Sequence, residues 1–362
     1  VAKLLEHALP KEQLHFVLVD HGFMREAEIE KVTTMLAEAG IHVTVYDATD
    51  VYETATTTID GVETPPLDQV VDPEVKRKII GDTFISIQEK MAELLGIDKD
   101  EFVLVMGSLY TDLIESGSAL ASDHADVIKT HHNDTEQVRA LRKQNRVYEP
   151  WRFIQKDDVR AIGKLLGLPE EIYNRQPFPG PGVAIRIICA EQPYITADNP
   201  WIKQRLKAFS TEDIEATLLP IQTVGVQGDE RTYGHLAGLS GKRDWKALKE
   251  RADAIPRTVH GTKMVGDKSK FYGINRVAYI FGEKISGELD TITRTHLTKH
   301  DAVAQQKSAD TIVNRLLEEH GLDKTFTQVP VVLTPIHLGK PGLRSVATRP
   351  FNTVNFKTGD LA

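Results

Sequence analysis

The chain has 362 residues, enough for two or three domains that each bury a hydrophobic core, and its only cysteine, Cys189, argues against disulfides and cysteine-cluster metal sites. Its 44 basic and 52 acidic residues give a net charge of -8, which argues against bulk nucleic-acid binding. Because no apolar run approaches the roughly 20 residues of a membrane-spanning helix, we expect a cytoplasmic protein with neither nucleic acid nor membrane as a partner.

The first half of the chain alternates predicted strands with predicted helices. Strands are predicted at 14–20, 41–46, 102–106 and 126–130, and helices at 29–39, 73–94 and 157–167. Asp72 and Pro73 supply the second helix with an N-cap and a first-turn proline. The first strand is nearly continuously apolar, which is typical of a parallel sheet covered on both faces. We therefore predict one doubly wound α/β domain that ends near residue 176.

A proline-glycine run, FPGPG at 178–182, divides the chain. Prolines fix φ and lack an N–H while glycines open unusual φ values, so the run predicts a domain boundary or a rigid binding turn. Beyond it, strands at 221–227, 275–281 and 330–336 and a helix at 302–320 predict an α+β module. Two stretches, 219–231 and 329–349, each run from a strand through a glycine to arginines and indicate a weak internal repeat.

Polar clusters follow three of the predicted strands, where open α/β sheets bind ligands. They are DHG at 20–22, GSLYTD at 107–112 and KTHHN at 129–133. On helical spacing Asp112 and Glu115 share a face, as a site for Mg²⁺ and triphosphate would need. The alternative, which spacing alone favours, is a solvated helix end with two surface carboxylates.

The paired histidines His131 and His132 do not suit one metal ion, because adjacent side chains of an extended segment point to opposite faces. With Lys129 and Asn133 they form a donor set for a phosphate or a developing negative charge. A surface loop with two ordinary histidines is the alternative. The cluster 76–78 (KRK) places cations in a first helical turn, against the macrodipole, and indicates anion binding unless Asp72 and Glu74 already offset the charge.

Six segments resemble those of GMP synthases, and they occur in the family's order. They are KRKIIGDTF (76–84), DLIES (112–116), IKTHHN (128–133), PFPGPG (177–182), GVQGD (225–229) and RSVATRPF (344–351). They cover nearly the whole chain, and FPGPG together with KTHHN is far more specific than a lone glycine pattern. The resemblance is closest to the larger form of the enzyme, whose duplicated dimerisation domain would account for the weak repeat.

The resemblance implies a fold and a domain order. Residues 1–176 would form a doubly wound parallel sheet of the N-type ATP pyrophosphatase (adenine nucleotide alpha hydrolase-like) type, without its first strand and phosphate loop. Two α+β dimerisation subdomains would follow at 177–290 and 291–362, the second truncated, in a homodimer. The family's glutaminase domain, SGGVDS loop and KPPGTTEWE-like tail are not in this sequence. We therefore expect a fragment that makes no GMP as it stands.

The implied reaction belongs to purine nucleotide biosynthesis. A ligase activates the C2 oxygen of XMP with ATP, giving adenylyl-XMP and pyrophosphate, and ammonia from a glutaminase domain or subunit then displaces AMP to give GMP. Mg²⁺ would be held mainly through ATP. The residues that match the family are Asp112, Glu115, Lys129, His131 and His132 for catalysis; Arg77, Asp229, Arg231, Gln328, Arg349, Gly180 and Gly182 for XMP; and Val19, Asp20 and Gly107 for ATP.

Two other functions stay open at this point. One is a nucleotide-binding or scaffold protein that has lost its chemistry. The other is a different N-type pyrophosphatase such as NAD synthetase, although GVQGD and FPGPG are not its signatures.

Overall fold

The computed structural model describes residues 1–98, 101–110, 136–175, 178–227, 230–265, 268–323, 325–352 and 360–361. The chain forms two compact units that do not follow chain order. The first contains Val1–Ile187, His296–Val332 and Thr348–Ala362, and the second contains Ile188–Thr295 and Leu333–Ala347. The functional domains predicted at 1–176, 177–290 and 291–362 stay a prediction.

Helices dominate the first unit. Its α-helices are Ala2–Ala8, Glu28–Glu38, Thr49–Glu53, Pro73–Leu94, Glu136–Lys143, Lys156–Leu165, Glu170–Tyr173 and Ala304–Glu319, and its short helices of other types are Lys11–Gln13, Leu67–Gln69, Gly182–Arg186 and the π-helical turn Lys299–Val303. The predicted N-cap is confirmed, because Asp72 Oδ1 accepts hydrogen bonds from the backbone N–H groups of Glu74 (2.8 Å) and Val75 (2.9 Å). No described helix is long and apolar enough to cross a membrane.

The strands confirm a mixed α/β chain. They are β1 (Val17–Asp20), β2 (Thr44–Asp47), β3 (Thr58–Ile59), β4 (Val62–Glu63), β5 (Leu104–Val105), β6 (Val147–Tyr148), β7 (Ile214–Gln227), β8 (Glu230–Gly241), β9 (His260–Val265), β10 (Lys268–Ile280), β11 (Val331–Thr334), β12 (Ser345–Thr348), β13 (Phe351–Asn352) and β14 (Asp360–Leu361). Two pairs in the first unit are parallel, β1 with β2 and β5 with β6. The strand predicted at 126–130 lies outside the described residues.

The second unit is built on a four-stranded sheet in the order β7-β8-β10-β9. The predicted strands at 221–227 and 275–281 belong to longer strands, β7 and β10. The register of β7 against β8 shifts between Leu219 and Gln222, where Pro220 lacks the N–H that a regular ladder needs. The helices Asn199–Leu206 and Trp245–Thr258 contribute Ile202, Leu206, Leu248 and Ile255 to the core that this sheet buries.

One histidine is buried in this sheet unit. His235 lies on β8 with 2% of its surface exposed, and its Nε2 lies 3.3 Å from Thr196 Oγ1. The Thr196 hydroxyl donates to Asn199, so it accepts from His235 Nε2. The second ring nitrogen, Nδ1, is buried without a partner among the described residues. Burial lowers the pKa of His235 to about 4, and Asp198 partly opposes this shift.

The second unit is therefore expected to lose stability in acid. Between pH 6.5 and about 4 the unfolded His235 binds a proton that the folded residue does not, so the free energy of unfolding falls by up to about 3 kcal/mol as pH falls through this window. Chemical denaturation between pH 4 and 8 measures this slope. His235→Gln should flatten it. An unchanged slope in His235→Gln contradicts the assignment.

Candidate functional site

The carboxyl ends of β1 and β2 lie side by side, with Asp20 opposite Asp47 in the ladder. Two backbone turns fix the segments that follow. Asp20 Oδ1 accepts from the Gly22 N–H at 2.9 Å, and Asp47 Oδ1 accepts from the Thr49 N–H at 3.0 Å. The latter bond lowers the pKa of Asp47. Residues 20–25, called here the strand-edge loop, are thus held at the sheet edge where parallel α/β proteins bind ligands.

His21 connects this loop to the proline-glycine run. The ring is buried, with 6% of its surface exposed. Its Nδ1 accepts from the Phe23 N–H at 3.1 Å, so Nε2 carries the proton and donates to the Gly180 carbonyl at 3.1 Å. Burial lowers the pKa of His21, which favours this neutral form. His21 is therefore a fixed hydrogen-bond donor at physiological pH.

The FPGPG turn, residues 178–182, is seated on the strand-edge loop by backbone contacts as well. The Val183 N–H donates to the Phe23 carbonyl at 2.7 Å. Gly182 has φ +61°, and a Cβ at this position would lie 2.0 Å from the same carbonyl oxygen. Only glycine fits such an approach in this conformation. The structure thus brings Gly180 and Gly182, predicted for XMP, against the loop that begins at Asp20, predicted for ATP.

A small open depression beside the strand-edge loop has room for about one water molecule. It is lined by His21, Gly22, Phe23, Thr49, Glu53, Leu297, Lys299 and Val303. Lys299 Nζ lies 3.6 Å from Asp50 Oδ1. Lys307 is half-buried; burial lowers its pKa, whereas Asp20 and Glu26 oppose that shift. Phe23, Leu297 and Val303 supply apolar surface to this lining, whereas Glu53 and Lys299 supply one charge of each sign.

A charged network that the sequence did not indicate lies behind the FPGPG turn. The Asp310 carboxylate accepts from Arg25 Nε at 2.8 Å and from Arg186 Nη1 at 2.9 Å. The Phe178 ring lies 4.6 Å from the Arg25 guanidinium carbon and 5.0 Å from that of Arg186. Burial lowers the pKa of Arg186, and Asp310 opposes that shift. The local sequence gives no signal for this network, because Asp310 lies 124 residues from Arg186.

The cations at 76–78 do not form the anion-binding cluster that their spacing indicated. Lys76 is 2% exposed and donates to the carbonyls of Ala184 (3.4 Å) and Ile187 (3.0 Å). Arg77 pairs with Glu74 at 2.8 Å, and Lys78 is paired on the outside of the helix. The helical turn separates the three side chains by about 100° each, so only Lys76 faces inward.

Gln328 and Arg349, both predicted for XMP, lie close together. Gln328 and Phe351 exchange two backbone hydrogen bonds of 3.3 and 3.1 Å, and the Arg349 N–H donates to the Pro330 carbonyl at 3.1 Å. The Arg349 guanidinium carbon lies 5.5 Å from the Phe351 ring centre, and burial lowers the pKa of Arg349. The structure thus places one amide and one guanidinium on neighbouring extended segments.

The remaining predicted site residues divide into two groups. Val19 lies within β1, and Gly107 follows β5. Asp112, Glu115, Lys129, His131, His132 and Asp229 lie outside the described residues, as does the side chain of Arg231. Within the described ranges no group of three His, Cys, Asp or Glu side chains could hold a metal ion. The roles of all these residues stay predictions.

The known proteins that this chain resembles share one name, although no family model matches the chain. The chain is 40% identical over 402 residues to "GMP synthase (glutamine-hydrolyzing)" of Dictyostelium discoideum, which covers 99% of this chain and 54% of the relative. It is 36% identical over 428 residues to "Probable GMP synthase (glutamine-hydrolyzing)" of Caenorhabditis elegans, with coverage of 100% and 56%. The Aquifex aeolicus "GMP synthase (glutamine-hydrolyzing)" is 37% identical over 294 residues, with coverage of 78% and 54%. The chain spans about half the length of these relatives.

Proposed function

Because the chain belongs to the GMP synthase family, we propose that it carries the nucleotide-handling part of an enzyme that aminates XMP to GMP with ATP. The observation that supports this most directly is the seating of the FPGPG turn on the strand-edge loop through His21 and Phe23. It joins the segment assigned to XMP to the segment assigned to ATP within one compact unit. The scaffold alternative is not favoured, since the relatives carry the names of synthases.

On the ATP side, we assign the two parallel strand pairs, β1 with β2 and β5 with β6, to the doubly wound N-type pyrophosphatase fold. The adenine would lie beside Val19 and Asp20 at the end of β1, with Gly107 after the end of β5. Lys299 lines the small depression beside this loop, and Lys307 lies close enough to Asp20 for their charges to interact; both cations would favour an anionic ligand. Mg²⁺, which family members need, would neutralise the triphosphate; its predicted protein ligands lie outside the described residues.

On the XMP side, Gln328 would donate to the purine and Arg349 or Arg231 would bind the 5'-phosphate, which a planar guanidinium does bidentately. Arg77 and Asp229 would complete the site. The C2 oxygen of XMP then attacks the α-phosphate of ATP, pyrophosphate leaves, and ammonia displaces AMP. Such a transfer depends on positioning and charge neutralisation more than on a covalent nucleophile. Lys129, His131 and His132 are proposed to neutralise the phosphoryl group, near Asp112 and Glu115.

Further parts of the proposal concern the whole protein. Ammonia would come from a glutaminase domain or subunit, the enzyme would be a homodimer through the segments after residue 176, and it would act in the cytoplasm.

The proposal is tested through the kinetics of XMP. In the natural full-length protein that contains this sequence, Arg77→Ala and Gln328→Ala are each expected to raise the KM for XMP roughly 10- to 100-fold, as loss of a charged or buried hydrogen bond does. The KM for ATP should change by less than about threefold. Initial rates with ammonia as the nitrogen source measure both constants.

The matched control is Arg160→Ala. Arg160 pairs with Asp157 three residues earlier on its helix, as Arg77 pairs with Glu74, but it has no predicted ligand contact. It should leave both KM values unchanged. Equal increases for XMP and ATP in Arg77→Ala would indicate a folding defect and contradict the assignment to XMP.

A further inference from the structure

The buried carboxylate of Asp310 joins three segments that are far apart in sequence. It lies on the helix Ala304–Glu319 with 2% of its side chain exposed. Arg25 ends the strand-edge loop, and Arg186 ends the short helix that follows the FPGPG turn. Each arginine binds a different oxygen of the carboxylate, Oδ2 for Arg25 and Oδ1 for Arg186. Asn314, one turn later on the helix, donates to Oδ2 at 2.9 Å and fixes the carboxylate further.

The two arginines also hold the turn itself. The Phe178 ring lies next to both guanidinium groups. The first residue of the turn therefore contacts Arg25 of the strand-edge loop and Arg186 of the short helix. Charge makes the arrangement dependent on Asp310. Arg25 and Arg186 repel each other, and Arg175 lies near Arg25 and pairs with Glu28. A buried carboxylate between two guanidiniums removes this repulsion, whereas its loss leaves like charges together in a poorly hydrated place.

We propose that Asp310 is a positioning residue, which through Arg25 and Arg186 holds the FPGPG turn and the strand-edge loop in the one arrangement that aligns the two nucleotides for transfer. This inference rests on the proposed function, since it assigns XMP to the turn and ATP to the loop. Asp310 touches neither nucleotide in this scheme. Its effect is on the alignment of reacting groups, where a misplacement of about 1 Å can cost about 100-fold in rate.

The test uses Arg25→Ala, Arg25→Lys and Asp310→Asn in the natural full-length protein that contains this sequence, with XMP, ATP and ammonia as substrates. Arg25→Ala is expected to lower kcat about 10- to 100-fold while both KM values stay within about threefold. Arg25→Lys retains a cation within reach of Asp310 and should recover most of the lost kcat. Asp310→Asn should lower kcat at least as much. If it does not fold, Arg25→Ala decides the matter, because the Arg25 side chain is 24% exposed and tolerates removal better.

Hydrogen exchange at the Val183 amide gives a readout that does not depend on turnover. This amide donates to the Phe23 carbonyl, so it reports whether the turn is seated. Its exchange should accelerate in Arg25→Ala and return toward the wild-type rate in Arg25→Lys. Arg315→Ala, which breaks an exposed pair on the same helix as Asp310, is the control and should leave kcat and exchange unchanged.

The outcomes separate the inference from the function. An unsubstituted protein that makes no GMP overturns the proposed function, and the positioning role falls with it. A folded Arg25→Ala protein with wild-type kcat, or with unchanged Val183 exchange, overturns the positioning role alone. So does a loss of kcat that Arg25→Lys does not relieve, because the charge on Arg25 would then not be the cause.

Discussion

Replacing Gly182 with alanine is expected to reduce the free energy of unfolding of the first unit by roughly 3 kcal/mol or more and to abolish GMP formation. The backbone at this residue has φ +61°, and the new Cβ would lie 2.0 Å from the carbonyl oxygen and 2.6 Å from the carbonyl carbon of Phe23. Neither atom can yield without moving the strand-edge loop. Because Val183 donates to the same carbonyl, the substitution should also break that bond.

The measurement is urea denaturation of the natural full-length protein, combined with the ammonia-dependent assay. Gly167→Ala is the matched control. Gly167 has φ +75° but nothing lies within 4 Å of its Cβ position, so alanine there should cost only about 1 kcal/mol, from backbone strain. Similar losses at both positions would show that the close approach to Phe23 does not exist in solution.

Lys76→Ala is expected to destabilise the first unit by about 3–5 kcal/mol. The side chain fills a fully buried position, and its ammonium group donates to the Ala184 and Ile187 carbonyls at the end of the short helix that follows the FPGPG turn. Removal leaves a cavity and withdraws a donor from carbonyls that need one. Lys76→Met keeps most of the volume and should cost about 2 kcal/mol, so the difference separates the cavity from the hydrogen bonds.

Lys78→Ala on the same helix provides the control. Its ammonium group pairs with Asp82 at 3.0 Å and its side chain is 41% exposed, so the loss should be below about 0.5 kcal/mol. Thermal and urea denaturation of the three variants measure the differences. A Lys76→Ala protein as stable as Lys78→Ala would mean that Lys76 is not buried in solution.

Local signals predicted the elements well. Asp72 and Pro73 marked the start of the helix Pro73–Leu94. The Asp72 side chain accepts hydrogen bonds from the first-turn N–H groups, and the Pro73 ring fixes φ at a helical value. The spacing of Ile29, Val32 and Leu36 marked the helix Glu28–Glu38 in the same way. The strand-edge loop was also predicted, since the first polar residues after an apolar strand lie at its carboxyl end.

The second predicted strand starts later than expected, because its first residues belong to the end of the preceding helix. The apolar segment from Ile41 was predicted as strand, yet β2 begins only at Thr44. Gly40 has φ +80°, and the Ile41 N–H donates to the Leu36 carbonyl at 2.8 Å. This is the closing bond of a Schellman-type helix end, and Ile41 is buried as its hydrophobic partner.

The long-range part of the site could not be predicted from residue patterns. Lys76 and Arg77 are adjacent cations in the sequence, and only the packing of the helix determines that the first is buried. Asp310 lies on a helix whose local pattern gives no reason to single it out. Ion pairs between distant segments depend on which surfaces the fold brings together, and the spacing of residues along one element contains no information about that.

The order of the two units along the chain has a consequence for folding during synthesis. The larger segment of the second unit, Ile188–Thr295, interrupts the first, so the ribosome must translate its four-stranded sheet before the helix Ala304–Glu319 exists. Arg25 and Arg186 emerge first, and Arg186 precedes Asp310 by 124 residues. At about 5–20 residues per second this interval lasts roughly 6 to 25 seconds. During that time the nascent first unit holds two arginines without their shared carboxylate, and it can reach its final packing only after the segment Ile188–Thr295 of the second unit has been made.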